Sequence, residues 1–275
     1  MKNNPVYRRF INHVIPNTAS LAREAIKIAA SLDGQPVCEY IKKNPSKCIE
    51  KAMEFGSIRY KKLVRDAGVK FSEEEYQIDL YDTLPSENKY AKWDAMWNFT
   101  ESLRQKGMSD CGRMLETIVD HILFAVGIPF ETQAFRKKVF KSSNFPISPN
   151  PDFLFPSAKH FLSDPKDCII LECKTTLKDR WSQVIKKGTK VFLLTIDEMV
   201  SIGGVNIQEL NGVTMVVPKN LKNRKYRDLE NVITFEDFLY NVLIPSLNRW
   251  ASQDIIPHYK IKKVREHLAL EMVQL

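Results

Sequence analysis

Pro151-Asp152-Phe153-Leu154-Phe155, followed by Cys168-Ile169-Ile170-Leu171-Glu172-Cys173-Lys174, is the pair of segments whose reading decides the fold. The apolar run from Cys168 to Leu171 reads as a buried strand. Side chains alternate along a strand, so Glu172 and Lys174 fall on one face of it. Asp152 opens a short apolar run of its own. If the two runs pair, Asp152, Glu172 and Lys174 converge. Two carboxylates are the hard-oxygen set that suits Mg²⁺, and an ammonium beside them can polarise a water or steady a phosphate. The combination implies metal-assisted cleavage of a phosphodiester.

Working outward, Arg113 to Val126 reads as an amphipathic helix with Leu115, Ile118, Val119, Ile122 and Leu123 on its apolar face, ended by Gly127. Ile128-Pro129-Phe130 begins a possible strand. The Ser-, Asn- and Pro-rich residues 141–150 form a loop. After Lys174 come a helix over 178–187, strands at Val191 to Ile196 and Val213 to Val217, and a helix from a capping start at Thr234 to about Leu247. This order predicts an α/β domain over 106–275, with a mixed central sheet flanked by helices. Residues 1–105 read as a helical region suited to dimerisation or to clamping a partner. Thr18 to Ser31, Pro45 to Phe55 and Glu87 to Gln105 have helical spacing. The stripe Trp93, Met96, Trp97 and Leu103 reads as core, and Phe71 to Pro85 as a solvated acidic connection.

The chain has 275 residues, a net charge of +8, 44% hydrophobic and 27% charged residues. Such a chain can bury a full core, and its basic balance suits a polyanionic partner. Five scattered cysteines with no Cys-x-x-Cys pair argue against a zinc site or disulfide framework. Cys168 and Cys173 read as small buried hydrophobes. No apolar run approaches bilayer length and no signal segment opens the sequence, so a cytoplasmic protein is expected.

Three further groups bear on chemistry. Glu116 either approaches the metal site from the helix preceding the sheet or is an exposed helical glutamate. Lys178, Asp179 and Arg180 follow the catalytic strand directly. Lysine and arginine read guanine and an acid accepts from cytosine, so the triplet suits C·G pairs; a solvated turn with an internal Asp–Arg pair is the alternative. Lys219 to Arg227 is either a contact to a nucleic-acid backbone or a solvated loop. No two of the five histidines form a ligand pair.

The string Lys174-Thr175-Thr176-Leu177-Lys178-Asp179-Arg180-Trp181-Ser182-Gln183-Val184 resembles the signature of type II restriction endonucleases of the EcoRII and CCGG group, which are PD-(D/E)xK enzymes. The likeness extends over about residues 110 to 240. It implies that Asp152 and Lys174 are catalytic, that Glu116 is a supporting acid, and that Lys178, Asp179 and Arg180 read C·G pairs. One position departs from the pattern. Where the EcoRII branch carries a metal-site glutamate thirteen residues beyond the lysine, this chain has Lys187. Glu172 is then the acid that completes the site with Asp152. The expected activity is Mg²⁺-dependent double-strand cleavage of a short palindrome with a CCGG, CCNGG or CCWGG core, by a homodimer acting on double-stranded DNA. A structure-specific repair or junction nuclease, and a catalytically dead DNA-binding protein, are the alternatives.

Overall fold

A computed structural model of the chain describes residues 5–72, 91–133, 151–176 and 189–267. Among them, six strands form one mixed sheet in the order β1 to β6: Glu131–Thr132, Phe153–Phe155, Ile169–Lys174, Lys190–Thr195, Val213–Val217 and Val232–Thr234. β1 to β3 pair antiparallel, and β3 to β6 pair parallel. Strands covered on both faces should be largely apolar, and β3, β4 and β5 are, with Glu172 and Lys174 of the site and the polar ends of β4 among the exceptions. The fold class expected from the sequence is the one found. The anticipated helix over 178–187 and the loop over 141–150 lie outside the described residues.

The chain divides into two units, Met1–Ala29 with Lys51–Thr117 and Ala30–Glu50 with Ile118–Leu275. In the second unit, Leu154, Ile170, Leu193 and Met215 present one face of the sheet to Phe161, Val205, Leu221 and Tyr226. The opposite face carries an aromatic seam in which Phe238 lies 6.2 Å from Phe155 and 4.9 Å from Phe192, ring centre to ring centre. Thr234 ends β6 and caps the next helix. Its hydroxyl accepts from the Asp237 main chain, and the Asp237 carboxylate accepts from the Thr234 main chain. The helical run continues past the expected Leu247 to Ser252. Trp250 locks it to the turn before β3, donating to Asp167 Oδ2 at 2.8 Å. The expected strand at Ile128-Pro129-Phe130 starts later, at Glu131. Proline lacks a ladder donor, and the Phe130 ring instead packs edge-on against Phe153.

The first unit is helical over Pro5–Val14, Thr18–Leu32, Pro45–Ser72 and Ala91–Val126, the second and fourth of which are called α2 and α5 below; α2, Pro45–Ser72 and α5 all run on into the second unit. Where the sequence suggests two helices separated near Ser109, α5 is continuous. Of the apparent breakers Gly107, Asp110 and Gly112, the first two have tertiary roles. A side chain at Gly107 would lie 3.3 Å from the Tyr60 ring. Asp110 is buried and ion-paired to Lys106 at 2.9 Å, and it accepts from the Thr18 hydroxyl at 3.2 Å. Phe71 also departs from expectation. It is core, stacked on Phe99 at 3.7 Å with Phe10 edge-on to both. Trp97, read as core, is 76% exposed, and Phe99 and Leu103 take the buried positions.

Candidate active site

The geometry begins with the register of β2 on β3. Phe153 pairs with Leu171 and Leu154 with Ile170. One step further, Asp152 stands opposite Glu172. Residues opposite each other on paired strands share a face, so Asp152, Glu172 and, two residues on, Lys174 project together. The apolar neighbours fix this placement. Phe153, Leu154 and Phe155 are buried, as are Ile169, Ile170 and Leu171. A slip of one residue would expel that set from the core.

The three side chains meet. Lys174 Nζ donates to Asp152 Oδ2 at 3.0 Å and to Glu172 Oε2 at 3.2 Å. The main-chain N–H of Cys173 donates to the same Asp152 oxygen at 2.7 Å. Asp152 and Glu172 are 5% and 4% exposed, while the Lys174 side chain keeps 20% of its surface. The acids are therefore buried, and the lysine is the most exposed of the three. Burial pushes the Lys174 pKa down, but attraction to Asp152 and Glu172 and their hydrogen bonds outweigh it, and the net shift is upward. Lys174 is a cation at neutral pH.

Buried carboxylates carry a large desolvation penalty unless paired, and a divalent cation held by both acids would offset it. Mg²⁺ is usually held by one or two carboxylates with waters and phosphate oxygens completing its shell. Asp152 and Glu172 fit that donor set. Among the described residues no group of three or more His, Cys, Asp or Glu side chains could form a fuller protein cage.

Gln133 joins the cluster without having been singled out in the sequence. Its Nε2 donates to Asp152 Oδ1 at 2.8 Å. The pairing of Thr132 with Phe153 brings it there, placing the next residue of one strand beside the residue preceding the other. The two-residue strand β1 carries no periodicity from which this could be read. Of the remaining expected residues, Glu116 is half-buried on α5, within the first unit. Lys178, Asp179, Arg180 and Lys187 lie outside the described residues. His160 bonds Asp167 at 3.0 Å in the network that anchors Trp250, which is a packing role. Cys168 and Cys173 are buried and unbridged, as expected. No helix among the described residues is long and apolar enough to cross a membrane.

Solved structures of similar architecture identify the fold. The chain superposes with a TM-score of 0.66 and 19% identity on metal-depleted Ecl18kI in complex with uncleaved, modified DNA, covering 96% of this chain and 97% of the other. The match to the PspGI restriction endonuclease–substrate DNA complex has a TM-score of 0.58 and 18% identity, over 86% and 94%. The fold is that of the restriction endonucleases, with paired acids and a lysine on adjacent strands. Residues 71–239 match the family described as EcoRII C terminal, and the chain belongs to it. It is 28% identical over 153 residues to the type II restriction enzyme SsoII of Shigella sonnei, covering 54% of this chain and 50% of that enzyme. It is 35% identical over 132 residues to the type II restriction enzyme EcoRII of Escherichia coli, covering 46% and 30%. The matched region thus spans about half or less of these relatives.

Proposed function

We propose that this chain is a type II restriction endonuclease that cuts both strands of duplex DNA at a short palindrome with a CCGG, CCNGG or CCWGG core. The observation that carries the reading is the convergence of Asp152 and Glu172 on Lys174, each within hydrogen-bonding distance of its ammonium. Asp152 and Glu172 would hold Mg²⁺. When bound, the ion would neutralise phosphate charge and lower the pKa of a coordinated water. Lys174, held as a cation by its two carboxylates, stabilises the negative charge that builds on the phosphate in the transition state. In that protonated state it orients the attacking water rather than taking its proton. Gln133 fixes the Asp152 carboxylate through Oδ1. Glu116 is the supporting acid, and Lys178, Asp179 and Arg180 read C·G pairs beyond the catalytic strand. A palindrome calls for a two-fold homodimer with one site per DNA strand, working in the cytoplasm.

The test is cleavage of unmethylated plasmid with Mg²⁺, followed by end-sequencing of the products. Discrete fragments sharing one terminal sequence, absent with Asp152→Ala and Lys174→Ala, are the expected result. Binding at a defined sequence with no cutting under any divalent metal would mark a catalytically dead binder instead. Cutting confined to branched or damaged DNA would mark a structure-specific nuclease. The motif position held by Lys187 is the feature that makes the dead binder a real competitor.

A further inference from the structure

The basic tract after β5 is not used by the catalytic cluster. The helix Lys219–Lys225, called α8 here, follows Pro218 and ends in Asn223-Arg224-Lys225-Tyr226-Arg227. With Ile202, Asp228 and Leu229 these residues line a depression of about 360 Å³. The tract is anchored from beneath. Leu221 and Tyr226 are buried in the sheet's core, and the Tyr226 hydroxyl donates to the Val200 carbonyl at 3.2 Å. The loop after β4 and the end of α8 are thereby fixed to each other. Above this anchor the Arg224 guanidinium clasps the Glu198 carboxylate, and the Lys225 ammonium donates to the Glu198 carbonyl. Arg227 is exposed.

We infer that this cradle binds the sugar–phosphate backbone of duplex DNA, with Glu198 holding the place that a phosphate takes. Three observations support it. First, Arg224 already grips a carboxylate oxyanion, and a phosphate presents the same kind of acceptor with more charge. Second, the side chains of Arg224 and Glu198 are 64% and 61% exposed, so their ion pair is weak against water and exchangeable. Third, the placement suits the substrate. Lys174 is paired with Thr195 at the end of β4, and Glu198 follows Thr195 by three residues, so the loop that carries Glu198 leaves the sheet one strand away from Lys174. At about 4.8 Å per strand and at most about 3.6 Å per residue, Glu198 lies within about 16 Å of Lys174, or roughly five base-pair steps at about 3.4 Å. A duplex seated at the catalytic cluster extends that far. As a backbone contact its contribution is to affinity and orientation rather than to sequence choice.

The inference rests on the nuclease reading for the identity of the polyanion, and its test separates the two. Binding of a 30-base-pair duplex is measured in EDTA by fluorescence anisotropy across a series of KCl concentrations, with circular dichroism to verify folding. The Arg224→Ala/Lys225→Ala/Arg227→Ala variant is expected to bind about tenfold more weakly, or worse, at low salt. Its slope of log K against log salt should be shallower by about 0.9 for each phosphate that the variant no longer neutralises. The weakening should be equal on palindromic and random duplexes. Glu198→Gln should tighten binding. The exposed single variant Arg227→Ala, with a slope change equivalent to about one phosphate, serves if the triple variant fails to fold. Wild-type affinity and slope in these variants overturn the cradle, and leave the nuclease reading standing if the wild type cleaves. Weakened binding by variants of a protein that cuts no DNA upholds the cradle and removes the nuclease. A wild type that binds no duplex removes both.

Discussion

Replacing Lys174 with methionine tests the metal site through stability, without an activity assay. The substitution keeps the length and apolar stem of the side chain and removes the ammonium that lies 3.0 Å from Asp152 and 3.2 Å from Glu172. At an effective dielectric of about 20, each of these ion pairs is worth roughly 5 kcal/mol of gross attraction. Repulsion between the two acids and the desolvation of the lysine subtract from that sum. Removing one partner of a buried pair costs about 3–5 kcal/mol. Lys174 keeps a fifth of its surface in water, which lowers the expected cost to about 2–4 kcal/mol. Urea unfolding in EDTA should show the destabilisation as a shifted midpoint at unchanged slope. Mg²⁺ should then restore more stability to the variant than it adds to the wild type, because it no longer competes with an ammonium for the two carboxylates. A site filled at about a hundred times its dissociation constant returns about 2.7 kcal/mol. Asp152→Asn, with a ligand removed, should respond less than either. A methionine variant as stable as the wild type in EDTA, or one indifferent to Mg²⁺, would refute the electrostatic account of the cluster.

Other positions give sharp expectations. A Cβ at Gly56 would lie 2.2 Å from Met114 Sδ, so Gly56→Ala should cost about 1 kcal/mol net of its gain in helix propensity, and should become stabilising in a Met114→Ala background, read by thermal unfolding of the four-member cycle. Gly127 has φ +84° and closes α5 with Ile128 N donating to the Leu123 carbonyl, so Gly127→Ala should lower the melting temperature by the equivalent of about 1 kcal/mol. Burial pushes the Asp167 pKa up, but His160, Arg249 and Trp250 pull it further down, to a net value below the ordinary carboxylate range. Its stabilising contribution is therefore present above that range and is lost as pH falls through the depressed value. The stability gap between wild type and Asp167→Asn should close below about pH 4 in acid-titration melts, and a constant gap would contradict the assignment.

Much of the second unit is legible in the sequence because its strands are buried on both faces. Ile169–Lys174, Lys190–Thr195 and Val213–Val217 are short apolar runs bounded by polar turns, a pattern that few other arrangements produce. Arg113 to Val126 is readable for the same reason, since each residue on its apolar stripe is buried. The errors share a cause. Gly107, Asp110 and Gly112 look like a break because local preference is all that a sequence displays, whereas Tyr60, Thr18 and Lys106 reward helix there through packing, a hydrogen bond and an ion pair that local preference does not register. Phe71 sits at the edge of an acidic stretch, and only its stack on Phe99 reveals it as core. Gln133 is invisible because its role depends on the pairing of a two-residue strand.

The site itself exists because the sheet changes direction. β3 to β6 run parallel, so the C-terminal ends of these strands gather along one edge of the sheet. A residue that precedes a strand lies at the opposite edge if that strand joins in parallel. Asp152 precedes β2, and in a parallel pairing it would lie beside the residue before β3, about 20 Å from Lys174 at roughly 3.3 Å per residue. The antiparallel pairing of β2 with β3 reverses this and brings Asp152 opposite Glu172. The switch costs no long crossover, because the turn between the two strands is filled by the short helix Ala158–Ser163 and the turn Pro165–Asp167. The buried triplets Phe153–Phe155 and Ile169–Leu171 then set the register. Six apolar side chains that take no part in the chemistry thus determine whether two acids and a lysine, 22 residues apart at their extremes, meet at one point.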